Sequence, residues 1–209
     1  MTVHPDREGS VETVVFDLGQ VIVGWDPRRV WIDELGEQGT QDLLDELDFF
    51  VLNRRLDAGE RWADIRPEVA ARVGDRVRQM DSYVDRFDAA LTGPIPGMAE
   101  LVQDLLTAGV RVLGLTNWSA ETFHHGVAAA PAIGQMEDVL VSGEVGLVKP
   151  DPAIYQLLIE RFGLTPGQTA FTDDSPANVT AARAAGIRAE VFSSAEQWRM
   201  ALRGWGVAV

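Results

Sequence analysis

One carboxylate interrupts an apolar run near the start of the chain: Val14-Val15-Phe16-Asp17-Leu18-Gly19-Gln20-Val21-Ile22-Val23. The β-branched and aromatic residues from Val11 to Phe16 predict a short buried strand, which leaves Asp17 at its carboxyl end. Open α/β sheets carry their chemistry at that edge. A carboxylate placed there can act as a nucleophile, a general base or a hard-cation ligand. It can equally start a turn before Gly19. Further polar points bear on the choice. Thr116-Asn117 follows the apolar run Val110 to Leu115, and Asp173-Asp174 follows Thr169 to Thr172. Lys149, before Pro150, is the one lysine among 18 basic residues, the other 17 being arginine. A guanidinium cannot stand in for a compact ammonium in a tight site, so the exception singles out Lys149.

Brought together, Asp17, Asp173 and Asp174 make an acidic, oxygen-rich group. Three carboxylates cannot lie close together near neutral pH unless one is protonated or a cation neutralises them. Mg²⁺ fits carboxylates, a backbone carbonyl and waters. Softer alternatives are poor. The chain has no cysteine, which excludes thiolate sites and disulfides. His4 lies in the N-terminal tail, and the adjacent His124 and His125 point in different directions on a helix start. Thr116 and Asn117 can donate hydrogen bonds to phosphate oxygens, while Lys149 can screen charge between anion and carboxylates. Such a set describes phosphoryl transfer through an aspartyl-phosphate.

The elements that must position these residues follow from periodicity. From about Arg28 the pattern turns helical: Ile65, Val69, Val73 and Val77 recur every four residues, and Leu43, Leu44, Leu47, Phe50 and Val51 fit one stripe. The stretch 28–91 holds 10 of the 17 arginines and no convincing strand, which predicts a helical insert ended by a linker, Thr92-Gly93-Pro94-Ile95-Pro96-Gly97. Strand and helix then alternate: a helix from Met98 to Ala108 with Gly109 as its left-handed cap, then a strand from Val110. Ser119 is the expected cap for the next helix, and a short strand is expected from Val139 to Ser142. Asp151-Pro152 opens a helix closed by Gly163, Ser175-Pro176 opens one closed by Gly186, and Ile187 to Phe192 is a last strand before a terminal helix. The expected fold is α/β, a parallel sheet covered on both faces. Asp17, Thr116 and Asp173-Asp174 then share one sheet edge.

Composition sets outer limits. The 209 residues suffice for one core with a smaller appended module, and 46% apolar with 24% charged residues is a globular balance. A formal net charge of −14 would repel nucleic acid and anionic membrane, whereas a bound divalent cation would let such a protein accept a phosphate. The polar start carries no apolar signal segment and no apolar run is long enough to span a bilayer, so the cytoplasm is the expected location.

Phe16-Asp17-Leu18-Gly19-Gln20-Val21, Leu115-Thr116-Asn117, Val148-Lys149-Pro150 and Phe171-Thr172-Asp173-Asp174 with Asn178 resemble, in order and spacing, the four motifs of the haloacid dehalogenase-like hydrolase superfamily. The likeness is greatest to bacterial phosphatases of the α-D-glucose-1-phosphate phosphatase group, whose first motif also reads Asp-Leu-Gly. It implies a Rossmann-like core, residues 1–27 and 92–209, with a helical cap at 28–91. It further implies a phosphatase of small phosphorylated metabolites, with sugar 1-phosphates in view. Asp17 would be the nucleophile, and Thr116 and Lys149 would bind the phosphoryl group. Mg²⁺ would be held by Asp17, Asp174 and the carbonyl of Gly19, with Asp173 in support.

One departure matters: many phosphatases of the superfamily carry a second Asp two residues after the nucleophile, as general acid and base, and here that position is Gly19. Asp26 is the next carboxylate along, with the ordinary role of capping the turn at Pro27. The same gap admits a 2-haloacid dehalogenase that uses the same Asp, for which the Asp173-Asp174 pair would be electrostatically costly, or a catalytically silent phosphate-binding module. The segment Arg54-Arg55-Leu56-Asp57-Ala58-Gly59-Glu60 sits where related proteins place a cap specificity loop. Its arginines either meet a second anion or form solvated ion pairs. Trp118 either walls the pocket or packs in the core.

Overall fold

The computed structural model describes residues 9–209; His4 lies outside the described residues. The first strand, β1 (Thr13–Phe16), leads through a tight turn into β2 (Val23–Trp25). Four helices follow: α1 (Ile32–Leu47, broken at Gly36), α2 (Phe49–Asp57), α3 (Trp62–Val73) and α4 (Val77–Asp85). The chain returns through β3 (Leu91–Pro94) to α5 (Met98–Thr107), β4 (Arg111–Thr116), α6 (Phe123–Ala129), β5 (Asp138–Val141) and the one-turn α7 (Ser142–Val145). It ends with α8 (Pro152–Phe162), β6 (Thr169–Asp173), α9 (Pro176–Ala184), β7 (Arg188–Val191) and α10 (Ala195–Gly204).

Five strands form a parallel sheet in the order β5-β4-β1-β6-β7. The chain first winds outward from β1 through β4 to β5, then crosses to the other side for β6 and β7. The reversal makes β1 the switch point, where such sheets open a crevice at the carboxyl edge. Side-chain alternation divides the core. Val14 and Phe16 face one layer, which also takes in α5, α10 and the helices between β2 and β3; Val15, with Leu113, Leu115 and Phe171, faces the layer of α8 and α9. Both faces of β1 are covered, which is why its sequence is continuously apolar.

Three local expectations change. The stretch expected to be a plain linker contains β3, which pairs antiparallel with β2, so a two-stranded ribbon carries the helices. Gly93 (φ 93°) and the edge position of Pro94 gave it the look of a loop. Phe50 and Val51 do not continue the buried stripe of Leu43, Leu44 and Leu47. Asp48 takes a left-handed conformation (φ 48°, ψ 49°) and starts a new helix, which buries Phe49 and turns Phe50 outward, 52% exposed. Ser119 does not cap α6; its hydroxyl accepts from the Glu121 amide in a turn four residues before that helix. Elsewhere the turn chemistry is as expected. Asp151 accepts from the Ala153 amide, and Gly109, Gly163 and Gly186 all take positive φ. The arginines between β2 and β3 are largely tied into exposed pairs, Arg55 with both Glu60 and Glu68, which contribute little apiece.

Candidate active site

β1 lies between β4 and β6, so Asp17, one residue beyond Phe16, is flanked by Thr116 at the end of β4 and Asp173 at the end of β6. The Asp17 amide continues the ladder by donating to Thr172 O at 2.9 Å. All three polar residues are buried, and carboxylate oxygens of Asp17, Asp173 and Asp174 lie within 4.8 Å of one another. Lys149 reaches this group from the loop before α8. Its ammonium donates to Asp17 Oδ1 at 2.8 Å, Asp173 Oδ2 at 2.6 Å and Leu115 O at 2.9 Å, which uses all three of its protons. Burial alone would discharge this lysine, but Asp17 and Asp173 hold its pKa above the ordinary value.

The carboxylates are not equivalent. Asp173 is saturated: Ser175 N and Asn178 Nδ2 donate to Oδ1, while Lys149 Nζ and Asn178 Nδ2 donate to Oδ2. Asp17 Oδ1 accepts from Leu18 N at 2.7 Å and from Lys149, and among the described residues no donor reaches its Oδ2. Asp174 is exposed and carries no ion pair among the described residues. Burial pushes the Asp17 carboxyl up, against the pull of Lys149; partial burial and the neighbouring Asp173 do the same to Asp174. Two carboxylates with open oxygens, only one of them paired with a cation, form a donor set of the kind a hard divalent cation takes.

Asn117 has a use the sequence did not reveal. Its Nδ2 donates to Lys149 O at 2.9 Å and its Oδ1 accepts from Lys149 N at 2.8 Å, so the amide clamps the backbone that carries the lysine. Thr116 keeps its hydroxyl free of partners among the described residues. Trp118 is both wall and core: it lines the cavity, yet it is buried, packs against Phe87 with ring centroids 5.6 Å apart at a tilt of 48°, and covers Gly126, where a Cβ would come within 2.7 Å of its ring.

A cavity of about 190 Å³ opens beside Gly19, Gln20 and Asn117 and is closed from the helical side by Asn53, Asp57, Tyr83 and Phe87. That is below the size of a drug-like site and suits a small metabolite. Asp26 is elsewhere. It caps the turn at Pro27, accepting from Arg28 N, and is paired with the Arg28 guanidinium, which holds its pKa low. Asp57 is the residue that sequence reasoning passed over, since it was one carboxylate in an arginine-rich loop. Burial of its carboxyl, the principal cause, pushes its pKa up to about 7.

A family model described as haloacid dehalogenase-like hydrolase matches residues 11–186. The chain belongs to the haloacid dehalogenase-like hydrolases. A phosphoglycolate phosphatase of Pseudomonas putida is 28% identical over 185 residues, which is 88% of this chain and 62% of that protein's length. A family enzyme from Bacteroides thetaiotaomicron shares the fold with a TM-score of 0.74 at 22% identity, covering 93% of this chain and 99% of its own. That enzyme has also been solved in complex with magnesium and inorganic phosphate (TM-score 0.70, 22% identity, 91% and 98% covered). The L-2-haloacid dehalogenase of Xanthobacter autotrophicus has the same fold as well, with a TM-score of 0.60 at 21% identity over 95% of this chain and 85% of its own. The fold is therefore shared both by an enzyme solved with magnesium and phosphate and by a dehalogenase, and the site must discriminate.

Proposed function

We propose that the protein is a Mg²⁺-dependent phosphatase of a small phosphorylated metabolite, acting through an aspartyl-phosphate on Asp17, with sugar 1-phosphates as the first substrates to test. The observation that carries this reading is the acidic trio with open oxygens on Asp17 and Asp174. A dehalogenase has no use for that concentration of negative charge, whereas a cation site next to a nucleophile does. Asp17, Asp174 and the carbonyl of Gly19 would hold the ion, and Asp173, whose oxygens are already taken, would support them by fixing Lys149. When bound, the ion supplies positive charge next to the transferring phosphoryl group and favours ionised Asp17.

Asp17 Oδ forms the new bond to phosphorus as the bond to the leaving oxygen breaks. Lys149 fixes the other carboxylate oxygen in line, and the Thr116 hydroxyl donates to a phosphoryl oxygen. Water then attacks phosphorus, releasing inorganic phosphate and restoring Asp17. The cavity favours a hydroxylated substrate, with Gln20, Asn53 and Asp57 offering polar groups between the aromatic walls of Trp25, Tyr83 and Trp118. The test is release of phosphate from a chromogenic phosphate ester and from a sugar 1-phosphate, with Mg²⁺ and with EDTA. Cation-dependent release supports the reading; halide release from a 2-haloacid without phosphate release replaces it with dehalogenation.

A further inference from the structure

We propose that Asp57, at the end of α2, is the acid that protonates the departing oxygen, the role left without a carboxylate by Gly19; the assignment rests on the phosphatase reading above. The geometry comes first. Asp57 closes the same cavity that Gly19, Gln20 and Asn117 open, so it faces the sheet edge across the space the substrate must fill. It is held there from both ends. Asn53 Nδ2 donates to its Oδ2 at 2.9 Å, and its backbone carbonyl accepts from Ser142 Oγ at 2.6 Å. The same Ser142 oxygen accepts from Trp118 N at 2.9 Å, so one hydroxyl ties Asp57 to the strand end carrying Thr116 and Asn117. Gly143, next to it, packs so closely that a Cβ would lie 2.7 Å from Trp118 O. The backbone of Asp57 is thus tied to the strand end that carries Thr116, with its carboxyl held by Asn53 on the cavity side.

Its environment is unlike that of its acidic neighbours. Glu60, Asp64, Glu68 and Asp81 each pair with an arginine; among the described residues none pairs with Asp57. It also stands in the last turn of a helix, where the backbone carbonyls disfavour a negative charge. An inward carboxyl with hydrogen-bond donors but no cationic partner in that position lowers stability when ionised, and local rules are broken in this way mainly at functional sites. The titratable groups facing it are Asp17, Lys149 and Tyr83. Burial keeps its proton up to about 7, as an acid working near neutrality requires. The electron pair of the breaking P–O bond goes to the leaving oxygen, which takes the Asp57 proton. The resulting carboxylate then accepts a proton from the water that attacks phosphorus, and returns to its acid form.

The test compares Asp57→Asn with the parent protein, at saturating Mg²⁺, on primary-alcohol phosphates and on p-nitrophenyl phosphate, whose leaving group needs little protonation. Asp57→Asn should lower kcat/KM for the alkyl esters by about 100-fold or more. The aryl ester should lose about tenfold at most, and the decline in alkyl-ester turnover above neutral pH should disappear. Adding Gly19→Asp to Asp57→Asn should recover part of the alkyl activity, since position 19 has no positive φ and no neighbour within 4 Å of an added Cβ. Equal losses on both ester classes, no loss, or persistence of the pH decline would overturn the assignment, the last by showing that a group other than Asp57 supplies the proton. A second readout does not depend on turnover. Carboxyl ¹³C titration of the parent protein, assigned by difference from Asp57→Asn, should place Asp57 near neutrality; an ordinary carboxylate value overturns the role. A parent protein that releases phosphate from none of the esters instead refutes the phosphatase reading, and the acid role with it.

Discussion

Replacing Lys149 with Met would keep the buried stem and remove the ammonium. Three hydrogen bonds are lost, two of them to carboxylates, and Asp17 and Asp173 are left facing each other without a cation. Each charged hydrogen bond contributes about 1.5–3 kcal/mol, and removing one partner of a buried pair costs about 3–5 kcal/mol because the remaining charge is uncompensated. The loss should depend on pH with a definite sign. Without Lys149, one carboxyl of the pair keeps its proton in the folded state to a higher pH than in the unfolded chain. Stability is then fully present below the unfolded carboxyl pKa of about 4 and falls as pH rises through the folded value. In the parent protein Lys149 stays charged through neutrality, since its pKa is raised, and it opposes the burial that raises Asp17, so that loss is smaller. Urea unfolding followed by circular dichroism, at about pH 5 and about pH 8, should show the variant nearest to the parent at the lower pH. Mg²⁺ should restore part of the difference at the higher pH. A variant within about 1 kcal/mol of the parent at about pH 8 in EDTA would refute the view that the lysine holds two ionised carboxylates together.

Other outcomes follow from the same geometry. Lys149→Arg should lower kcat severely although charge is kept, because a planar fork cannot occupy a site shaped for three acceptors around one nitrogen. Asp17→Asn should reduce turnover by several orders of magnitude with circular dichroism unchanged, and near-normal turnover would show that Asp17 is not the nucleophile. Ser142→Ala strips the partner from Trp118 N and Asp57 O and should cost about 1–3 kcal/mol, with faster amide exchange in α2 and α7. Leu113→Ala, in the fully buried layer under α8, should cost about 2–5 kcal/mol in the same unfolding assay without altering KM.

The strand ends were legible because buried parallel strands are continuously apolar, so a polar residue that follows one abruptly marks the edge. Asp17, Thr116 and Asp173 stand out on that ground alone. Lys149 was visible because an arginine-rich chain retained one lysine. What stayed hidden depends on docking between distant segments. Thr92-Gly93-Pro94 has a loop's composition and becomes β3 only because β2 pairs with it. Asp57 is one acidic residue among many until the end of α2 is set against Ser142, which turns its carboxyl into the cavity and partly buries it. Asn117 reads as a hydrogen-bond donor, and nothing local says that the Lys149 backbone uses both ends of its amide. The left-handed turn at Asp48 likewise defeats a periodicity argument, since a single residue resets the helix face.

The central claim is that Asp17 carries the phosphoryl group in a cation-dependent cycle. Acid quenching during turnover of a sugar 1-phosphate, followed by mass spectrometry of the peptide containing Asp17, tests it most directly. One phosphoryl group on Asp17 is predicted with Mg²⁺, and none with EDTA or in Asp17→Asn. A phosphoryl group on any other residue, or phosphate release at the parent rate by Asp17→Asn, would contradict it.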